Sequence, residues 1–367
     1  MSNKIDAFAT PPQPYWMAST GSTDYPALEE DIKVDVAIVG GGLVGITAAY
    51  LLKGENLDVA VIEADRIGQG TTGHTTAKIT SQHSLIYDKL IKHLGRERAR
   101  QYAEANEYAI FFIEKLVKQK KIDCDFSHQA AYVYTQQDQY VKQIEDEAKA
   151  AASLGIRAHY LEQIPLPFDV KAAVRFDNQA QFHPRKYLLA LAEDITGRGG
   201  RIFEQTRAVD FREGDPFTII TEGGHKVRAE RVIMASHFPA YGGSGYYFAR
   251  MYPERSYAIA ITAEEKFSGG MYITAESPGR SLRSTPYQGS ELIIISGEHH
   301  KTGQGPPTES HYLNLARFAE QTFTVTGMPF RWSTQDYTTL DEVPYVGRLT
   351  SKSPNVYVAT GFRKWGM

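Results

Sequence analysis

The residues Val36-Ala37-Ile38-Val39-Gly40-Gly41-Gly42-Leu43-Val44-Gly45 run from β-branched and small apolar side chains straight into three consecutive glycines. Gly40, Gly42 and Gly45 fit the spacing G-x-G-x-x-G. In a dinucleotide-binding turn the first glycine permits a tight bend, the second lets a pyrophosphate reach the backbone, and the third lets helix and strand pack closely. The helix that follows offers unpaired N–H groups to the phosphate charge. The spacing alone describes any tight strand-to-helix turn, so context decides. Val34 to Val39 reads as a buried strand, Leu43 to Leu52 as a helix and Leu57 to Glu63 as a second strand, which makes a βαβ unit with a parallel pair. Glu63 stands 23 residues after Gly40, where an acid accepts hydrogen bonds from ribose hydroxyls and repels a 2′-phosphate. The ligand expected is a dinucleotide other than NADP.

Outward from this unit, composition sets bounds. The 367 residues are 42% hydrophobic, more than one core normally organises, so two domains are expected. A net charge of −3 leaves no basic surplus for nucleic acid. No stretch has the ~18 apolar residues of a membrane span, and the N-terminus lacks the order of a signal peptide, so the chain reads as cytoplasmic. A single cysteine, Cys124, forms no disulfide within the chain and cannot ligate an iron-sulfur cluster with two thiolates.

The loop after Glu63, Ala64-Asp65-Arg66-Ile67-Gly68-Gln69-Gly70-Thr71-Thr72-Gly73-His74-Thr75-Thr76-Ala77-Lys78, is rich in small and hydroxyl-bearing residues where a flavin's ribityl chain and ring edge need donors and close backbone approach. An NAD domain would ordinarily move straight into its next helix. With this loop, VAIVGGGLVGITAAYLL, Thr206-Arg207-Ala208-Val209, Val232-Ile233-Met234-Ala235-Ser236, and the closing Asp341 to Gly347 and Val356 to Gly366, the sequence resembles the FAD-dependent amino-acid and amine oxidase family of glycine oxidase and sarcosine oxidase (the DAO family). GTTGHTTAKIT and TGFRKWGM resemble a bacterial branch fused to a C-terminal Rieske iron-sulfur domain. The resemblance implies noncovalent FAD, with Gly40, Gly42, Leu43, Val44, Gly45, Glu63, Ala64, Gly70, Thr71, Thr72, Thr76, Ala77, Lys78, Val209, Ala235, Gly361 and Arg363 around it. Val209 would present its backbone to the adenine, and the glycine turn at Gly361 would touch the flavin ring. It also implies that the polypeptide continues past Met367 with a helix and then a Rieske domain carrying its own 2Fe-2S ligands, since no C-x-H and C-x-x-H pair occurs here.

The expected fold class is α/β (α+β overall), a Rossmann-like FAD-binding domain with an interleaved, mainly antiparallel β-rich substrate domain. The FAD-binding domain takes residues 31–122, 183–240 and 335–367, the substrate domain 123–182 and 241–334, and residues 1–30 form a surface arm. Helices are expected over Leu85 to Gln119, Tyr140 to Ser153 and Tyr187 to Ile195, the first with Leu94, Tyr102, Ile110, Phe111 and Leu116 at helical spacing.

The flavin carries the redox chemistry itself, so no catalytic triad is needed. Arg283 is a candidate clamp for a substrate carboxylate, or a surface arginine. Lys364 or Arg363 would stabilise negative charge on the reduced ring. His74, between two threonine pairs, is a candidate ring neighbour or an ordinary loop histidine. Tyr252 and Tyr257 read as packing residues before hydroxyl donors. Glu298-His299-His300 reads as a solvated turn, because adjacent histidines on a strand point apart, and no metal site is expected. Three functions remain open: an oxidase of an amine or amino acid, an FAD dehydrogenase passing electrons to an iron-sulfur centre, and a flavin-bearing electron-transfer or interaction module without a small substrate.

Overall fold

The computed structural model describes residues 11–363, which places Lys364 outside the described residues. Two sheets organise them. In the first, Tyr345–Arg348, Val356–Thr360, Lys226–Met234, Ile32–Val39, Val59–Ile62 and Arg201–Phe203 lie side by side in that order. The strands from Val356–Thr360 to Arg201–Phe203 are parallel, so their carboxyl ends form one edge. Strand Ile32–Val39 lies at the centre and is apolar on both sides. Val36 and Ile38 meet helices Leu43–Gly54 and Pro184–Gly197, while Ala37 and Val39 meet Phe217, Val232 and Met234 on the other face. A strand covered on both faces must read as a continuous hydrophobic run.

The second sheet has nine strands and is antiparallel except where Met271–Thr274 pairs with Ser127–Thr135. Its order begins Val325–Thr339, Met251–Ala263, Ser290–Lys301, Arg280–Tyr287, Met271–Thr274 and ends on Lys78–Ile79. One face packs on helix Thr308–Thr322 through Tyr257, Ile259, Leu282, Ile293 and Ile295. The other face roofs the carboxyl edge of the first sheet, where Ala258, Ala260, Leu292, Ile294 and Trp332 join the core built on Val36 and Ile38.

Several local expectations change. The helical stretch expected over 85–119 resolves into two helices, Tyr87–Leu94 and Arg96–Lys120, parted by Gly95 at φ +82°. Ile110 and Leu116 are buried, but Leu94 and Phe111 are exposed, because Phe111 is turned about 100° from Ile110 on the helix. Lys78–Ile79 belongs to the roof sheet although its neighbours in sequence serve the first sheet, and strand Val325–Thr339 runs unbroken through residue 335. The described part of the arm is no loose surface segment: Tyr15, Trp16 and Leu28 are buried. Trp16 packs on the His183 ring at 4.8 Å, and burial of two large aromatic rings holds the arm in place.

Candidate functional site

A cavity of about 1080 Å³ runs along the carboxyl edge of the parallel sheet, beneath the roof. Its floor is the glycine turn, and the three motif glycines divide the work. At Gly40, with φ +113°, an added Cβ would lie 2.4 Å from the Ala235 carbonyl oxygen; at Gly45 it would lie 1.9 Å from the Gly40 oxygen. Both glycines are required by the chain's own packing. Gly42 is different. Its backbone, φ −80° and ψ −175°, suits any residue, and an added Cβ would meet nothing nearer than the Thr72 hydroxyl at 3.3 Å. Only something entering the cavity from outside requires glycine there, and this fits a group that approaches the backbone at the start of helix Leu43–Gly54.

Glu63 follows strand Val59–Ile62 and lines the cavity. Its carboxylate accepts from the N–H groups of Gly41 at 2.7 Å and Asp65 at 2.9 Å, which fixes it beside the glycine turn. Leu43 N–H donates to Thr72 Oγ1 at 3.1 Å, tying the next loop to the helix start. Gly40, Gly42, Leu43, Val44, Glu63, Ala64, Gly70, Thr71, Thr72, His74, Thr76, Lys78, Ala235 and Arg363 all line the cavity. Ala77 and Gly361 back it instead: Ala77 is fully buried, and a Cβ on Gly361 would strike Thr339. Val209 is 52% exposed; the cavity meets that segment at Thr206, Arg207 and Ala208.

The loop from Gly70 to Lys78 is held from behind. Trp332 Nε1 donates to the His74 carbonyl at 2.8 Å and Trp16 Nε1 to the Thr75 carbonyl at 2.7 Å. Arg283 donates to the carbonyls of both Thr76 and Ala77. Arg283 is therefore neither a surface residue nor a substrate clamp. It is 1% exposed, stacks 5.4 Å over the Trp16 ring, and burial lowers its guanidinium to about 9. Its guanidinium is spent on backbone oxygens, and it lies outside the cavity lining.

The roof supplies the remaining wall. In the pairing of Met251–Ala263 with Val325–Thr339, Glu254 stands opposite Asp336, Ser256 opposite Thr334 and Ala258 opposite Trp332. All six face the cavity, as the period of two along each strand demands. Glu254 also accepts from the Thr338 hydroxyl at 2.6 Å. Arginines on these strands turn elsewhere: Arg255 donates to Ser333 Oγ at 2.9 Å and Arg331 lies over the Tyr312 ring; Arg280, on strand Arg280–Tyr287, lines the cavity and pairs with Glu298 at 2.6 Å. Arg363 pairs with Glu342 at 3.1 Å. His74 Nδ1 lies 2.9 Å from the Gly70 carbonyl oxygen.

The Glu298 segment is packed, not solvated. Glu298 holds Arg280, His311 and Asn314, and the His300 and His311 rings stack at 4.7 Å. Among the described residues no group of three potential ligands gathers for a metal. Tyr257 is buried on the helix-packed face, and Cys124 is buried with its thiol pushed up to about 12 by desolvation. Glu254 and Asp336 escape a motif search. No alternation singles them out, because Arg255, Ser333 and Gln335 between and beside them are polar as well.

The model of a family described as FAD dependent oxidoreductase matches residues 35–367. The chain belongs to that family. FAD is the cofactor of this FAD-dependent oxidoreductase, and the Gly42 approach, Glu63 and the small-residue loop are what would hold it. A Bacillus subtilis (strain 168) protein provisionally named a Rieske 2Fe-2S iron-sulfur protein, YhfW, is 44% identical over 97% of this chain and 70% of its own length. The gamma-glutamylputrescine oxidoreductase of Escherichia coli (strain K12) is 23% identical over 96% of this chain and 85% of its own. Among solved structures, glycine oxidase from Geobacillus kaustophilus superposes with a TM-score of 0.71 at 21% identity, covering 91% of this chain and 90% of that one. L-proline dehydrogenase from P. horikoshii superposes with 0.73 at 19%, covering 92% and 90%. These likenesses establish the shared fold of this oxidoreductase. Within the described residues, no helix is long and apolar enough to cross a membrane.

Proposed function

We propose that this FAD-dependent oxidoreductase oxidises the C–N bond of a small amine. Bound FAD supplies the redox step by accepting a hydride from the carbon beside nitrogen. The chain's residues bind the amine, orient that carbon and exclude water. The observation that carries the reading is the sign of the roof. Glu254 and Asp336 face the cavity side by side, whereas Arg255, Arg283 and Arg331 turn to other partners and the cavity-lining Arg280 and Arg363 are paired with Glu298 and Glu342. Carboxylates in an enclosed cavity attract an ammonium group and repel a substrate carboxylate, so the preference is for a cationic amine over an α-amino acid. The name of one relative, gamma-glutamylputrescine oxidoreductase, supports the same class.

A second reading concerns only where the electrons leave. The 44% identical relative named for a Rieske centre supports transfer to an iron-sulfur domain instead of oxygen. The single cysteine of this chain means that such a centre takes its ligands from elsewhere. The test is bleaching of the flavin without air by butylamine, 1,4-diaminobutane and glycine. Glu254→Gln and Asp336→Asn should each raise KM for the diamine about tenfold or more, in line with loss of one charge-assisted contact. Faster bleaching by glycine than by either amine, unaffected by these substitutions, would refute the amine reading. Peroxide on readmitting air identifies the oxidase, and its absence favours the iron-sulfur acceptor.

A further inference from the structure

Lys78 ends the loop that wraps the cavity and opens the short strand Lys78–Ile79. Its side chain crosses to the underside of the roof, where Nζ donates to the Tyr272 carbonyl at 3.2 Å and to the Ser281 hydroxyl. Across the roof, Trp332, Ala258, Ser296, Ser281 and Ile273 form one continuous row of paired positions, all lining the cavity. Lys78 therefore sits under the middle of the surface that covers a substrate. Its two acceptors are both neutral. An ammonium carries three donors, whereas an uncharged amine carries two and a lone pair, so two neutral acceptors match the uncharged form.

The surroundings agree. Burial first, and then the Arg283 guanidinium on strand Arg280–Tyr287, lower the Lys78 amine to about 7. Among the other charged and titratable groups on the cavity wall are Arg280 next to Ser281, His74 from the loop, Glu276 from the turn after Met271–Thr274, His299 from Ser290–Lys301, and Glu254 and Asp336 farther along the roof. The arrangement sets a basic nitrogen on neutral partners inside the cavity instead of pairing it with an acid, so that a large share of it is uncharged near pH 7.

We propose that Lys78 takes the proton from the ammonium group beside the carbon to be oxidised, so that this nitrogen reacts as a free amine, while Glu254 and Asp336 hold a second cationic group such as the far end of a diamine. This rests on the amine reading above. A substrate N–H bond breaks and its electron pair stays on the substrate nitrogen. A new N–H bond forms on Nζ, and one positive charge passes from substrate to lysine; nothing is oxidised or reduced in the step. The requirement is chemical, since an ammonium nitrogen has no lone pair with which to expel a hydride from the neighbouring carbon.

The test uses the full chain with FAD bound. Competitive acetylation of Lys78 with acetic anhydride, followed by peptide mass, should give half-maximal reactivity near pH 7, against about 10.4 for an ordinary lysine. A midpoint above 9 overturns the inference without touching the amine reading. In the second arm, butylamine and 1,4-diaminobutane reduce the flavin without air in the parent protein, Lys78→Gln and Lys78→Arg. Both variants should be about 100-fold slower at pH 7 and recover as pH approaches the amine's own value near 10. A tie between loop and roof would slow reduction equally at every pH, so parallel profiles also overturn the inference. If neither amine bleaches the parent flavin at any pH, the amine reading falls and the lysine step falls with it.

Discussion

Replacing Gly42 with valine separates what the fold needs from what the cofactor needs. At Gly42 the backbone is extended and the nearest atom to an added Cβ is a hydroxyl at 3.3 Å. The apoprotein should therefore lose only the helix-start preference for glycine over valine, about 1 kcal/mol or less. For a chain of this length that lowers the melting temperature by roughly 1 °C. FAD binding should suffer far more, because the isopropyl group occupies the space where the pyrophosphate meets the helix N-terminus. Losing two hydrogen bonds to a charged group, about 1.5–3 kcal/mol each, weakens binding by roughly 10²- to 10⁴-fold. The assay is titration of apoprotein with FAD by fluorescence quenching, beside thermal melts of the apoprotein. Gly45→Ala is the control: its Cβ would stand 1.9 Å from the Gly40 oxygen, a backbone atom that cannot yield, so the apoprotein itself should lose about 1–3 kcal/mol or more. FAD affinity of Gly42→Val equal to that of the parent, or an apoprotein as unstable as Gly45→Ala, would refute the reasoning.

Two further outcomes follow from the loop's supports. Arg283→Ala strands the carbonyls of Thr76 and Ala77 at about 1–3 kcal/mol each. It should lower stability in denaturant and weaken FAD binding, while the ratio of KM values for acidic and neutral substrates stays constant; a selective rise for acidic substrates would restore the clamp role. Trp16→Ala empties a fully buried site at a cost of about 3–5 kcal/mol, measured by urea unfolding, and a loss under 1 kcal/mol would mean the arm is dispensable.

What was legible in the sequence was local. The βαβ unit, its glycines and Glu63 lie within about 30 residues, and each is dictated by neighbours in the chain. The small-residue loop was legible for the same reason, and nearly all of its predicted contacts line one cavity. Arg283 was misread because its partners, Thr76 and Ala77, lie more than 200 residues away, and nothing in Gly279-Arg280-Ser281-Leu282-Arg283-Ser284 reveals which arginine is enclosed. The arm was misread because Pro, Ser and Thr around Tyr15-Trp16 outweighed the two rings that bury it. Glu254 and Asp336 were invisible for another reason: an acid on a strand reads as solvent-facing until a second sheet is known to close over it.

The four successive carbonyls from His74 to Ala77 have a consequence for how the protein comes to exist. Their donors arrive from residues 16, 283 and 332, spanning nearly the entire chain. Such contacts close long loops, which cost entropy before they return any stability. A nascent or half-folded chain can present the glycine turn early, since that unit is contiguous, yet it has no finished wall for a flavin ring. FAD therefore acts on the folded population by mass action, drawing it away from open states, and does not template the pocket. The cavity wall is complete only when residues 16, 283 and 332 are all in place, so its occupancy reports a chain folded from one end to the other.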